Sequence, residues 1–475
     1  MKVALLSPYW DFFESTVPGD LRTASRDLAT DVAARLSGVR PLEWGRLKGS
    51  DPLTVVASEI VDSRESGAAA AQRIAAADPD ALVIVQSIAV PPAYALAALD
   101  ALPELPLVVF AAQRARRPPE PYDHADVAAD GATVGGPQLT SVLGRRGRRY
   151  ALVSGTVDDA ADRLRGEVRA AAAAGRLRRA RIARVGRPID GYDCVDCDED
   201  ALRAVTGIAF VPVAPTDVRA AYVDADGAAV EAEVRSSWEV AAPTACVARS
   251  TRFAAALETL DARLGVAAGA MNCHVPEIRL GDEPGIAPCF ALGRETSRGV
   301  PWTCAGDVVT AVAMLTVKLL GGAALYHEVQ ALDHASDEAL LANSGEHDLA
   351  FADPDERPVL RPNPWWDGAC AQFSPPRGPA TLVGFTPHAD EPSGFRYVVA
   401  EGEFTARRIP GTGTVNAAFR FAGDDSVGAA WERWARAGVN HHSAATPGWL
   451  GDAVAAVAAH LGVGCVNTSA ARRSR

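Results

Sequence analysis

At 475 residues, 48% hydrophobic and 22% charged, the chain is too long for one ordinary core and too apolar to be disordered, so two to four domains are expected. A formal net charge of −12 argues against nucleic acid as a partner, because phosphate binding needs a basic face. No run approaches the roughly 18 continuous apolar residues that span a bilayer, and the apolar stretch of Met1–Pro8 is too short for a signal peptide.

Residues 1–145 alternate short aliphatic runs with Ala-rich segments of helical length. Lys2–Ser7, Ala81–Gln86 and Leu107–Ala111 read as buried parallel strands, and Ser63–Asp78 and Pro92–Ala101 as helices between them. A second unit, 146–300, is expected to open on the strand Arg149–Ser154, after the basic turn Gly144–Arg148. It continues through a helix at Asp158–Ala174, strands at Ala180–Val185 and Ile208–Val213, and a helix from Thr251 to Leu264. Residues 301–475 change character. A helix over Asp307–Leu320 precedes alternating strands at Ala380–Phe385, Phe395–Ala400 and Val415–Phe421, separated by Pro/Gly/Asp turns. A helix from Trp449 to Leu461 follows, and the tail Ala470–Arg475 is expected to fray. The fold class is thus α/β: two tandem Rossmann-like or flavodoxin-like doubly wound domains, then a β-rich, barrel-like α+β domain. Eight scattered cysteines read as reduced thiols of a cytoplasmic protein.

Four stretches stand in a telling order: Ser87–Gln113, Val185–Asp196 (VGRPIDGYDCVD), Cys304–Glu328 and Gly438–Ser443 (GVNHHS). The third runs C-A-G-D-V, a helix, a Gly-Gly turn and a strand ending Y-H-E. In order and spacing they resemble the L-arabinose/L-fucose isomerase family. The resemblance implies aldose–ketose interconversion through an enediol on a neutral sugar, or a small molecule derived from one. It implies a divalent metal, commonly Mn2+, with Co2+, Zn2+ or Fe2+ as alternatives, and homo-oligomers (trimers or hexamers) with active sites at subunit interfaces. Two family carboxylates bind the metal and shuttle the proton between C1 and C2, and histidines complete the coordination. Carried over, Glu328 matches the second carboxylate, and His347 and His442 match histidine ligands. The first carboxylate is expected directly after Cys304, where this chain has Ala305.

One carboxylate with two imidazoles is a reasonable facial set for a first-row divalent metal. Such a metal would polarise a carbonyl, but moving the proton still needs a positioned base. Glu328 is one candidate and Asp307 another, although Asp307 also stands where Val308–Met314 needs an N-cap. Glu277, Glu295 and Glu346 are further candidates that the sequence does not place. His327 faces away from Glu328 if both lie on a strand, and Ala331 excludes an H-E-x-x-H site. Taken alone, His347 in a polar loop is more often a surface or core residue than a ligand, and the pair His441-His442 is as readily one as the other. Cys194-x-x-Cys197 lacks a second zinc-binding pair and opens no helix, so it reads as incidental. Cys273, beside His274, and Cys304 read as packing cysteines. Gly135-Gly136 and Gly411-x-Gly413 match no phosphate-binding motif, so no nucleotide cofactor is expected. Trp302 and Trp365-Trp366 either stack on a sugar or are buried in a core or oligomer contact. Beside the isomerase reading stand an epimerase or retro-aldol lyase on the same scaffold, and a catalytically decayed sugar-binding or regulatory homologue.

Overall fold

Continuous aliphatic runs become parallel strands because burial on both faces removes the need for polar alternation. The computed structural model describes residues 1–15, 20–37, 52–281, 283–344, 346–409, 411, 414–423 and 425–469. Ala470–Arg475 and Gly413 lie outside the described residues. The chain divides into two compact units, the first reaching Arg176 and the second running from Leu177, apart from Ala459–Gly462, which belongs to the first.

The first unit carries β1 (Lys2–Pro8), β2 (Thr54–Val61), β3 (Ala81–Gln86), β4 (Leu107–Gln113) and β5 (Ala151–Thr156) in one parallel sheet, order β2-β1-β3-β4-β5. Every residue of β3 is buried, whereas β2 at the edge is half-exposed and escapes a search for apolar runs. Leu82, Ile84, Leu107 and Val109 pack against Ala70, Ile74 and Ala98 of the covering helices. Each fully buried Leu, Ile or Val there contributes about 1.5–3 kcal/mol. The helix Arg64–Ala76 starts on a reciprocal Ser63–Ser66 capping box. Its Gly67 lets the helix Ala93–Ala101 approach: a Cβ there would fall 2.4 Å from the Tyr94 carbonyl oxygen. One expectation is corrected. β5, read as the opening strand of a second unit, pairs in parallel with β4 and completes the first sheet.

The second unit opens with β6 (Arg181–Val185) and β7 (Ala209–Val213), followed by the two-residue β8 (Glu239–Val240). With β9 (Ala268–Met271) and β10 (Trp302–Thr303), β6 and β7 make a parallel sheet of order β10-β9-β6-β7. Next come β11 (Leu325–Asp333) and β12 (Glu338–Asn343), while β13 (Val359–Pro362) and β14 (Ala369–Gln372) join β8 in a small separate sheet. β15 (Gly378–Pro387), β16 (Phe395–Phe404), β17 (Val415–Phe421) and β18 (His442–Pro447) complete, with β11 and β12, a closed six-stranded antiparallel barrel. Its order is β15-β18-β11-β12-β17-β16, and β16 returns to β15 along its whole length. β19 (Gly464–Asn467) adds to β16 in parallel.

The helix Val308–Gly321 packs on β15 and β18 and is buried nearly all round. It begins where the Asp307 side chain accepts from the Thr310 amide, and it ends at Gly322, whose left-handed φ of 81° suits only glycine comfortably. No helix among the described residues is long and apolar enough to cross a membrane.

Trp302 is a core residue and not a sugar-stacking surface: it is fully buried and donates its Nε1–H to Asp261 Oδ2 at 3.0 Å. Desolvation pushes the Asp261 carboxyl up to about 8, opposed by the Trp302 donor and reinforced by Glu295. A folded-state pKa above the unfolded one gives stability that is complete below about pH 4 and is lost as pH rises through 8. Asp261→Asn keeps the acceptor for Trp302 without the charge. Urea melts should show it matching wild type near pH 4 and exceeding it by several kcal/mol near pH 9.

Candidate metal centre

Antiparallel register brings two distant segments into contact. Glu328 of β11 lies directly opposite His442 of β18, and His327 lies opposite Ser443. Because side chains alternate along a strand, Leu325 and His327 occupy one face of β11 and Tyr326 and Glu328 the other. His327 accordingly turns away, is buried, and pairs through Nδ1 with the Ser443 carbonyl at 2.8 Å. His442 Nε2 lies 3.0 Å from Glu328 Oε1, and the Tyr326 ring packs 4.6 Å from the His442 ring. Asn343 Nδ2, on β12, donates to the same Glu328 oxygen at 3.3 Å, and the Gln330 amide holds Oε2.

The other side of His442 is set by a helix start. Asp307 Oδ1 accepts from the Thr310 amide at 2.8 Å, while Oδ2 takes His442 Nδ1 at 2.8 Å and Asn440 Nδ2 at 2.9 Å. Asp307 therefore caps the helix and also orients an imidazole, with no solvent exposure. Burial disfavours charge on His442, but the bonds to Asp307 and Glu328 outweigh it and raise its pKa to about 9. Glu328 moves the opposite way: its burial is outweighed by His442, and its carboxyl is held below the usual range.

His441 joins this pair. Its ring lies 3.8 Å from that of His442, and one ligand atom from each of Glu328, His441 and His442 lies within 4.8 Å of the others. The sequence treated His441 only as half of a pair; the register of β18 gives it its place. His347, nominated from the resemblance, is not in this cluster. It is buried, pairs through Nε2 with the Asn343 carbonyl at 3.2 Å, and sets its ring against Phe373. Desolvation lowers its pKa to about 4, so it is neutral at pH 7.

The other acidic candidates divide clearly. Glu295 sits between Arg294 and Arg298, a structural ion-pair network. Glu277 belongs to the short helix Pro276–Arg279. Glu346 is 1% exposed, in the interior beside Cys304. Burial, reinforced by Cys273, pushes it up to about 7, against the pull of His442 and the Cys304 thiol. Cys273 and Cys304 are free thiols: Arg279 donates to Cys273 Sγ at 3.5 Å, and Cys304 Sγ lies 3.8 Å from the Tyr326 hydroxyl. Ala305 is 4% exposed with a left-handed φ of 58°, and its carbonyl accepts from the Ile189 amide at 3.3 Å. Trp365 and Trp366 lie at the surface, the latter under the Arg279 guanidinium at 4.1 Å.

No family model matches the chain, and comparison with curated proteins gives no match.

Asp307→Asn keeps the helix cap and removes the anion from His442. NMR titration should show the His442 pKa falling by at least about one unit, as expected when a buried opposite charge is lost. Asp307→Ala should in addition cost about 1 kcal/mol of stability from the lost cap.

Proposed function

We propose that the chain is a metal-dependent sugar isomerase-like enzyme related to the L-arabinose/L-fucose isomerases. The observation that carries this reading is the convergence of Glu328, His441 and His442, with Asp307 behind His442. The donor set fits a first-row divalent cation such as Mn2+: one carboxylate and two imidazoles, one imidazole backed by a carboxylate as metal-binding histidines commonly are. His442 Nε2 and Glu328 Oε1 face each other in a 3.0 Å hydrogen bond, so both atoms would be available as donors to one ion. The order β2-β1-β3-β4-β5 is that of a flavodoxin-like sheet, which agrees with a doubly wound first domain.

Glu328, His441 and His442 would hold the ion, which when bound supplies Lewis-acid polarisation of vicinal hydroxyl and carbonyl oxygens. Asp307 fixes His442 as the tautomer that offers Nε2. Asn343 and Gln330 between them hold both oxygens of Glu328, which fixes the carboxylate that would carry the proton between C1 and C2. The first carboxylate of the family is absent at Ala305, and this favours an enediolate chemistry whose outcome differs from simple isomerisation, such as epimerisation or retro-aldol cleavage. Ala305 already holds the left-handed backbone with its Cβ, so a Glu there would add no new backbone strain of this kind.

Metal analysis of the purified protein tests the reading first. Stoichiometric manganese, cobalt or zinc, lost in Glu328→Ala and His442→Ala, is expected; a metal-free protein that still binds sugars would make it a decayed homologue. Deuterium from heavy water should then enter C1 or C2 of the aldose or ketose that serves as substrate. Ala305→Glu should raise isomerisation by about tenfold or more if general base capacity is what is missing, and no gain would mean the site is built for another reaction.

A further inference from the structure

Cys194, half of a Cys-x-x-Cys pair that reads as incidental in the sequence, lies beside the candidate centre. It is exposed on the 3-10 turn Asp193–Val195, and its Sγ is 3.6 Å from His441 Nδ1. The Tyr192 ring meets the other side of this contact, edge-on to His441 at 5.6 Å and 85°. The turn is not a loose loop: the Val195 amide donates to Tyr192, the Tyr192 amide to Ile189, and the Ile189 amide to the carbonyl of Ala305. Cys194 is therefore tied to the same Cys304–Asp307 segment that orients His442.

The two imidazoles are thus held in parallel fashion. His442 has Nδ1 on Asp307 and turns Nε2 toward Glu328. His441 has Nδ1 on Cys194, which leaves Nε2 as the nitrogen available for an ion. A metal-binding histidine needs its second nitrogen engaged, because that bond fixes the tautomer and the ring direction. A thiol does this with a polarisable sulfur that either donates to or accepts from the ring.

We infer that Cys194 is a positioning residue for the metal centre, the partner that holds His441 through Nδ1 while Nε2 faces the cation. The inference rests on the metal-centre reading above. It makes the centre one whose affinity depends on an exposed, alkylatable thiol, a property that Glu328 and His442 do not confer.

Cobalt(II) affinity, measured by chelator competition on the full chain, tests this for wild type, Cys194→Ala and Cys194→Ser. Cys194→Ala should weaken Co2+ binding by about tenfold. Cys194→Ser, whose hydroxyl still pairs with a ring nitrogen, should recover most of that loss, which a merely structural role would not predict. Alkylation of wild-type Cys194 with iodoacetamide should weaken binding as much as the alanine variant does. Two results would overturn the placement. One is Co2+ affinity of Cys194→Ala within twofold of wild type. The other is a thiolate-to-cobalt charge-transfer band present in wild type and lost in Cys194→Ala, which would put the sulfur on the ion itself. A wild-type chain that binds no Co2+ would remove the metal reading, and this inference with it, before any Cys194 variant is made.

Discussion

The hydrogen-bond line Asp307–His442–Glu328 is the constraint on which the second unit's candidate site turns. Its two ends belong to structurally separate features, a helix start and a barrel strand, and the imidazole between them is held from both sides at 2.8 and 3.0 Å. Asp307 is fully buried and Glu328 partly so, and His442 gives each of them a hydrogen bond that offsets the lost solvation. Everything that fixes the line is ordinary fold machinery. The helix cap turns Asp307 inward, the β11–β18 register puts Glu328 opposite His442, and Asn440 occupies the remaining position on Asp307.

Much of the architecture was legible because it follows from local pattern. β3 lies where an unbroken aliphatic run predicted it, and the barrel strands β15, β16 and β17 lie where apolar and polar residues alternate. Helix Val308–Gly321 begins where Asp307 signalled a cap. What the sequence did not reveal depends on pairing between remote segments. Nothing local in Ala151–Thr156 says whether it closes the first sheet or opens the next; only its register with β4 decides. The half-exposed β2 has its apolar residues interrupted by Ser58 and Glu59.

The centre shows the same division. Glu328 and His442 were found through motif spacing, and Asp307 was weighed between a structural and a chemical role. The structure shows it capping the helix with one oxygen and holding His442 with the other. His441 went unassigned because its neighbours come from β11 and from the turn near Cys194, the latter 247 residues away in the chain. His347 was placed in the site by its surrounding motif. The fold uses that segment differently, drawing Asn343 toward Glu328 and leaving the His347 ring in apolar surroundings beside Phe373.

The proton on His442 has a consequence for how such a protein is assembled. Sites built wholly from anionic ligands often leave the chain unfolded until metal arrives. Here His442 already bridges Asp307 and Glu328 through hydrogen bonds, so protein groups alone join the helix start to strands β11 and β18. In the proposed metal enzyme, folding and metal loading would then be separate events. The identity of the metal would be settled after synthesis by what the surroundings supply.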